Sequence, residues 1–279
     1  MRKVIGLDIG GTNTRAALIN EDYSIEKIVI HDTVSGSLEA FLESVSSIIE
    51  ELCPDRKEVV AIAGGVPGRV RHDGYIYALP NIHIDSIPLQ EYLEKRFSLP
   101  VKIINDAEVA SLAEANVGPY KDAKSLYFVT ISTGVGGALT INGELRNSSY
   151  EVGHTLFEYK GKNYEFEKIA SGTGIKTLCE LNGIKIASAK QFFDGVREGK
   201  KDFLPVYEDW IDLLSRFFKM IQSLFEPEII ALTGGVMKSS DLFFEKLKSA
   251  CPNSRLLPCS HGQEAGLLGA GVLAFQSLN

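Results

Sequence analysis

The chain predicts an α/β protein built in two similar halves, and three observations carry that prediction. Runs at residues 59–63, wholly apolar, and 126–131, apolar but for Thr130, alternate with stretches of helical periodicity, as strands buried in a sheet under helices do. Glycine turns follow apolar runs at three places, Gly10-Gly11, Gly134 to Gly137 and Gly234-Gly235. The second half opens as the first does, with a strand, a Gly/Thr turn, a strand and a hairpin, a repeat of pattern rather than of residue identity.

Residues 4–7 and 16–19 read as strands around Asp8-Ile9-Gly10-Gly11-Thr12-Asn13-Thr14-Arg15. Gly10 and Gly11 let backbone N–H groups approach an anion with no Cβ in the way, and Thr12, Asn13 and Thr14 add short donors. Asp8, at the strand end, can hold a magnesium ion through water. The plainer alternative is an ordinary Gly-Gly hairpin turn. A strand at 25–30 follows. The spacing of Leu38, Phe41, Leu42, Val45, Ile48, Ile49 and Leu52 predicts a helix with one buried face, ended by Cys53-Pro54. The strand at 59–63 runs into Gly64-Gly65-Val66-Pro67-Gly68, a loop where open α/β sheets keep ligands, which makes Gly65 a substrate-binding candidate.

Residues 70–71 and 75–77 flank His72-Asp73-Gly74 as a hairpin. A helix over 87–97, started by Pro88, and a strand over 101–104 come next. The strand leads into Asn105-Asp106 and a helix over 107–116. Residues 118–122 read as a linker, so the halves are set at 1–117, completed by the last helix, and 118–264. In the second half, strands at 126–131 and 138–141 enclose the Ser132 to Gly137 turn. Glu151-Val152-Gly153-His154 leads into a polar loop, and Ser171 opens a helix to Leu181. Residues 205–225 form a long amphipathic helix whose aromatic spacing suits a core or a subunit contact. The charged run 197–202 is a solvated loop. A strand at 229–232, a helix over 241–249, a short strand at 255–257 and a helix over 264–276 close the chain.

The bulk numbers suit this plan. A chain of 279 residues, 44% hydrophobic and 23% charged, is globular and needs no covalent staples. Acidic residues outnumber basic ones by 36 to 29, which argues against a nucleic-acid surface. Cys53, Cys179, Cys251 and Cys259 form no C-x-x-C pair, so no zinc ribbon or redox dithiol is encoded. The chain opens into a strand with no signal peptide and carries no long apolar run, so a cytoplasmic protein without membrane contact is expected.

Two of the glycine turns can clasp the phosphates of a nucleotide, and the third can lie under its ribose or adenine. Thr133 and Gly134 belong to the second, Gly234 and Gly235 to the third. Asp106 stands where an apolar strand meets a helix N-terminus. It reads either as a plain N-cap or as the base that takes a proton from a hydroxyl attacking the γ-phosphate of ATP. Asn81, Asn105, Glu151, His154 and Glu167 lie in loops or at element ends, where their directional donors and acceptors suit a polyol. A lone histidine such as His154 is equally a satisfied structural residue.

With these residues named, the chain resembles the ROK family of sugar kinases and repressors, within the actin-like ATPase (ribonuclease H-like) superfamily. Residues 8–15 are similar to the first phosphate motif of the family and 132–138 to its second. The blocks 64–68, 79–81, 105–106, 151–154, Glu167 with 170–172, 233–235 and 266–271 match in family order over nearly the whole chain. The resemblance implies a two-lobed actin-like fold, each lobe a mixed sheet with flanking helices. It implies an ATP- and magnesium-dependent kinase of a hexose, glucose first, with N-acetylmannosamine, fructose or another hexose as alternatives and a homodimer as a frequent assembly. Asp106 would be the base; Asn81, Asn105, Glu151, His154 and Glu167 would bind the other hydroxyls. One departure stands out. Many relatives carry a C-x-C-G-x-x-G-C zinc motif after Glu-x-Gly-His, whereas residues 155–166 here are shorter and hold no cysteine, so no zinc site is expected. The phosphate motif begins at Asp8, so the helix-turn-helix of the family's repressors is not expected either. A sugar-binding regulator without catalysis and a chaperone-type ATPase are the rival readings.

Overall fold

The computed structural model describes residues 2–55, 57–79, 82–146 and 151–278. They fall into two units, Met1–Asp122 with Thr140–Ser149 and Ser260–Asn279, and Ala123–Leu139 with Tyr150–Cys259. Nothing local in the sequence marks residues 140–149 for the first unit.

The first unit begins with β1 (Lys3–Ile9), β2 (Asn13–Asn20), β3 (Ile25–Asp32), α1 (Leu38–Leu52) and β4 (Val59–Val66). It continues through β5 (Ile76–Leu79), β6 (Ile84–Ile87), α2 (Leu89–Phe97), β7 (Val101–Asn105) and α3 (Asp106–Asn116). The sheet order is β3-β2-β1-β4-β7, with β1 to β3 antiparallel and β4 and β7 parallel to β1. Alternation along β1 sorts its two faces. Ile5, Leu7 and Ile9 join one core with Phe41, Val45, Ile48 and Ile49 of α1 and Leu89 and Leu93 of α2. Ser37 caps α1 by accepting from the Ala40 N–H. The other face is small: Val4, Ala17, Ala61 and Ala63 meet Val109 and Leu112 of α3 and the C-terminal helix.

The chain goes on through β8 (Ser125–Ile131), β9 (Val135–Ile141), β10 (Glu144–Leu145), β11 (Leu156–Tyr159) and β12 (Lys162–Glu165). The helices α4 (Phe166–Ala170), α5 (Gly174–Leu181), α6 (Ala189–Arg197) and α7 (Phe203–Phe225) follow. The last elements are β13 (Ile229–Thr233), α8 (Ser240–Ala250), β14 (Leu256–Pro258) and α9 (Ala265–Gln276), the C-terminal helix of the first unit. The second five-stranded sheet has the order β10-β9-β8-β13-β14. Its helices pack through aromatic rings: Phe217 stacks on Phe166 at 4.1 Å, and Trp210 of α7 lies edge-on to Phe193 and Phe243 while its Nε1–H donates to the Ala170 carbonyl. Among the described residues no helix is long and apolar enough to cross a membrane.

Three local expectations change. Residues 156–165 are an antiparallel hairpin, not a loop, because Phe157 and Tyr159 turn inward while their neighbours face water. Ser171 does not open a helix; it follows α4, and its hydroxyl accepts from the Gly174 N–H that starts α5. Helix α6, which the polar sequence around Phe192 and Phe193 hid, runs up to the charged stretch at 198–202 and is capped by Ser188. The hairpin around 72–74 forms as expected, with the Arg71 N–H donating to the Tyr75 carbonyl at 2.8 Å, the Tyr77 N–H to the Arg69 carbonyl at 3.1 Å and an antiparallel bridge between Val70 and Ile76, while β5 pairs onward with β6.

Candidate active site

In the first unit the candidates gather at the carboxyl ends of β1, β4 and β7. Gly10 donates to the Asn13 carbonyl at 2.8 Å and accepts at its own carbonyl from the Thr33 hydroxyl at 2.7 Å, which closes a tight turn with Thr12 and Asn13 exposed and Gly11 partly so. Asp8 ends β1 opposite Arg15 of β2, and the guanidinium donates to Asp8 Oδ2 at 3.3 Å and to the Gln263 carbonyl. Gly266 of α9 leaves room for that carboxylate: a Cβ there would lie 2.7 Å from Asp8 Cγ. A single carboxylate in a cradle that any side chain at 266 would fill suits a magnesium ion that keeps most of its waters.

Asp106 opens α3, but it is not the N-cap. Asn105 fills that role, accepting from the Ala107 N–H at 2.9 Å while Glu108 Oε2 accepts from the Asn105 N–H at 3.2 Å. The capping box thus removes the plain N-cap reading of Asp106, whose side chain is exposed, with Oδ1 accepting from the Ala107 N–H at 2.9 Å. Asn105 Nδ2 also donates to the Gly68 carbonyl at 3.1 Å, tying the loop after β4 to α3. Gly65 is buried, and a Cβ there would stand 3.1 Å from the Asp106 Cα, so its bareness sets how closely the first turn of α3 approaches β4. Asn81 lies outside the described residues.

Burial raises the Asp8 carboxyl above the ordinary carboxylate range, and the Arg15 charge and hydrogen bond oppose it. Ionisation therefore costs the folded state, a cost present above the folded value and relieved as pH falls through it. Asp8→Asn is expected to leave the melting temperature at neutral pH unchanged or raised by up to about 3 °C. The gain should shrink toward about pH 4. Calorimetry across that range checks it; a fall of more than about 3 °C would mean that the pair with Arg15 outweighs burial.

In the second unit the two remaining glycine turns abut. Gly234 has φ +103°, and a Cβ on it would sit 2.2 Å from the Ile131 carbonyl that ends β8, so only glycine serves there. Gly235 stands against the Ser132 hydroxyl. Thr133 is exposed, and its carbonyl accepts from the hydroxyls of Ser171 and Thr173. Gly134 does not have positive φ; the Glu167 carboxylate packs against it, with Oε2 2.6 Å from where a Cβ would stand. That same oxygen accepts from the Val135 N–H at 3.4 Å, and Glu167 Oε1 pairs with Lys168 at 3.0 Å. Glu151 and His154 flank a 3-10 turn, with Glu151 Oε2 3.8 Å from His154 Nε2. Glu167 thus reaches the Gly134 turn, and the segment that carries Glu151 and His154 packs on Val135 through Gly153.

Sequence reasoning passed over several residues here. Ser171 and Thr173 brace Thr133, Glu165 meets His154, and buried Glu114 of α3 accepts from the backbone of Ser260 and His261. The hydroxyls at 171 and 173 carried a signal, a Ser-Gly-Thr run after an apolar helix; the partners of Glu114 lie 146 residues away and left none.

A family model described as the ROK family matches residues 4–277. A glucokinase of Thermotoga maritima is 28% identical over 97% of this chain and 96% of its own length. An N-acetylmannosamine kinase of Escherichia fergusonii is 29% identical over 97% of each. The crystal structure of a ROK hexokinase from Thermus thermophilus superposes with a TM-score of 0.84 at 25% identity, covering 99% of both chains.

Proposed function

This chain belongs to the ROK family, and from that premise we propose that it transfers the γ-phosphate of ATP to the primary hydroxyl of a hexose, with glucose as the first choice. The chain is an ATP-dependent sugar kinase with the actin-like ATPase fold. The residue assignments are our reading. The placement of Asp106 carries them. It is an exposed carboxylate at the end of β7, on a helix whose cap is already supplied by Asn105 and Glu108.

Asp106 accepts the proton of the primary hydroxyl as that oxygen attacks phosphorus. Asn105, Glu151, His154 and Glu167, with Asn81, bind the remaining hydroxyls, and Gly65 admits the turn that carries the base. The turn at Gly10, Gly11, Thr12 and Asn13 and the turn at Thr133 and Gly134 receive phosphates through backbone N–H groups, while Gly234 and Gly235 allow close approach of the adenosine. Asp8 would hold magnesium through water, and the bound ion would neutralise charge on the β- and γ-phosphates.

Glucose is favoured by the glucokinase relative. N-acetylmannosamine is the second reading, because the Escherichia fergusonii kinase matches at equal coverage. The test is ADP release with ATP, magnesium and a panel of hexoses, ranked by kcat/KM. Sugar-dependent ADP with glucose ranked first supports the proposal, and a higher ratio for N-acetylmannosamine moves the substrate there. ADP formed equally without sugar, or none with any sugar, overturns it.

A further inference from the structure

Glu165 has no part in the reading above, yet its carboxylate Oε2 lies 3.1 Å from Nδ1 of His154. The hairpin sets this contact. Antiparallel pairing places Glu165 opposite Leu156, two residues beyond His154, and the Phe166 N–H donates to the Thr155 carbonyl at 2.9 Å. Phe166 is stacked on Phe217 at 4.1 Å, Phe157 packs on both rings, and the Tyr159 hydroxyl donates to Asp209 of α7. The backbone that carries Glu165 is thus pinned to α7 although the carboxylate itself is half-exposed.

A neutral imidazole donates at one nitrogen and accepts at the other, and a carboxylate can only accept. The nitrogen facing Glu165 must therefore carry the hydrogen, and the lone pair falls on Nε2. Glu151 Oε2 stands 3.8 Å from Nε2, beyond hydrogen-bond reach. A group that meets Nε2 must then donate to it, as a sugar hydroxyl can.

We propose that Glu165 is a positioning residue that fixes the Nδ1–H tautomer of His154 and so presents Nε2 as an acceptor to a hexose hydroxyl. This rests on the reading of His154 as a sugar ligand. Glu165 acts only through the ring. Glu167, two residues on, also contacts Gly134 and Val135.

The test pairs nitrogen-15 spectroscopy of labelled histidine with kinetics on the full-length enzyme, comparing wild type, Glu165→Ala and Glu165→Gln. The neutral wild-type His154 ring is expected to hold its hydrogen on Nδ1. Glu165→Ala should move it toward Nε2, and Glu165→Gln should keep it on Nδ1 through the amide oxygen. Glu165→Ala should raise the KM for the sugar by about 3- to 10-fold, with kcat and the KM for ATP within about twofold. Glu165→Gln should stay within about twofold of wild type in all three constants. A tautomer unchanged by Glu165→Ala overturns the proposal, as does a sugar KM unmoved in a folded variant. So does a stoichiometric divalent metal in the purified protein that is lost in His154→Ala, since the ligand atoms of His154, Glu165 and Glu167 lie within 4.8 Å of one another and would then hold a cation. If wild type phosphorylates no sugar, the kinase reading fails, and the spectrum still decides whether Glu165 sets the ring.

Discussion

Asp106→Asn is expected to cut turnover by at least about 100-fold while leaving the affinity for sugar within about threefold of wild type. The magnitude is that of a general base. The attacking hydroxyl must lose its proton as the P–O bond forms, and an amide cannot take it. The substitution should leave the fold alone. Asn105 and Glu108 cap α3 without help from Asp106, and an asparagine at 106 keeps an oxygen to accept from the Ala107 N–H at 2.9 Å. Steady-state kinetics, sugar binding by calorimetry and a melting curve separate these effects. Turnover retained in a variant that binds sugar normally would remove Asp106 from the chemistry.

What the sequence made legible follows from how local each signal is. Strands β1, β4 and β8 are apolar over consecutive residues, and α1 and α7 repeat their apolar positions at helical spacing, so each declares itself within a short window. Asp106 was readable because the end of an apolar strand and the start of a helix meet at one residue. The hairpin of β11 and β12 was not, since Leu156, Glu158, Lys160, Lys162 and Asn163 face water and only Phe157 and Tyr159 turn inward. Contacts between distant residues leave no local trace. Arg15 reaches the carbonyl of Gln263 across 248 positions. The carboxylate that stands against Gly134 comes from 33 residues further along, a contact that no short window of sequence shows.

Gly269→Ala is expected to destabilise the first unit by about 3 kcal/mol or more, the upper end of overpacking penalties, and to lower its melting temperature by about 6 °C or more. A Cβ at 269 would lie 1.8 Å from the Val109 carbonyl oxygen and 2.6 Å from its carbon. Backbone atoms cannot rotate away as a side chain can, so α3 and α9 must separate. Val109 lies in the first turn of α3, three residues after Asp106, and Gly266 on the same face of α9 meets the Asp8 carboxylate. One added methyl group would therefore displace the proposed base as well as loosen the core, and misplacement by about 1 Å can cost about 100-fold in rate. Gly199→Ala is the control. Its φ is +70°, with nothing within 4 Å of a Cβ, so it should show only the backbone penalty of about 1–2 kcal/mol and normal turnover. Calorimetry and kinetics on both variants distinguish crowding from backbone strain. A Gly269→Ala protein that melts within about 2 °C of wild type would show that the two helices can part at little cost, and the close packing would then not be what fixes the position of Asp106.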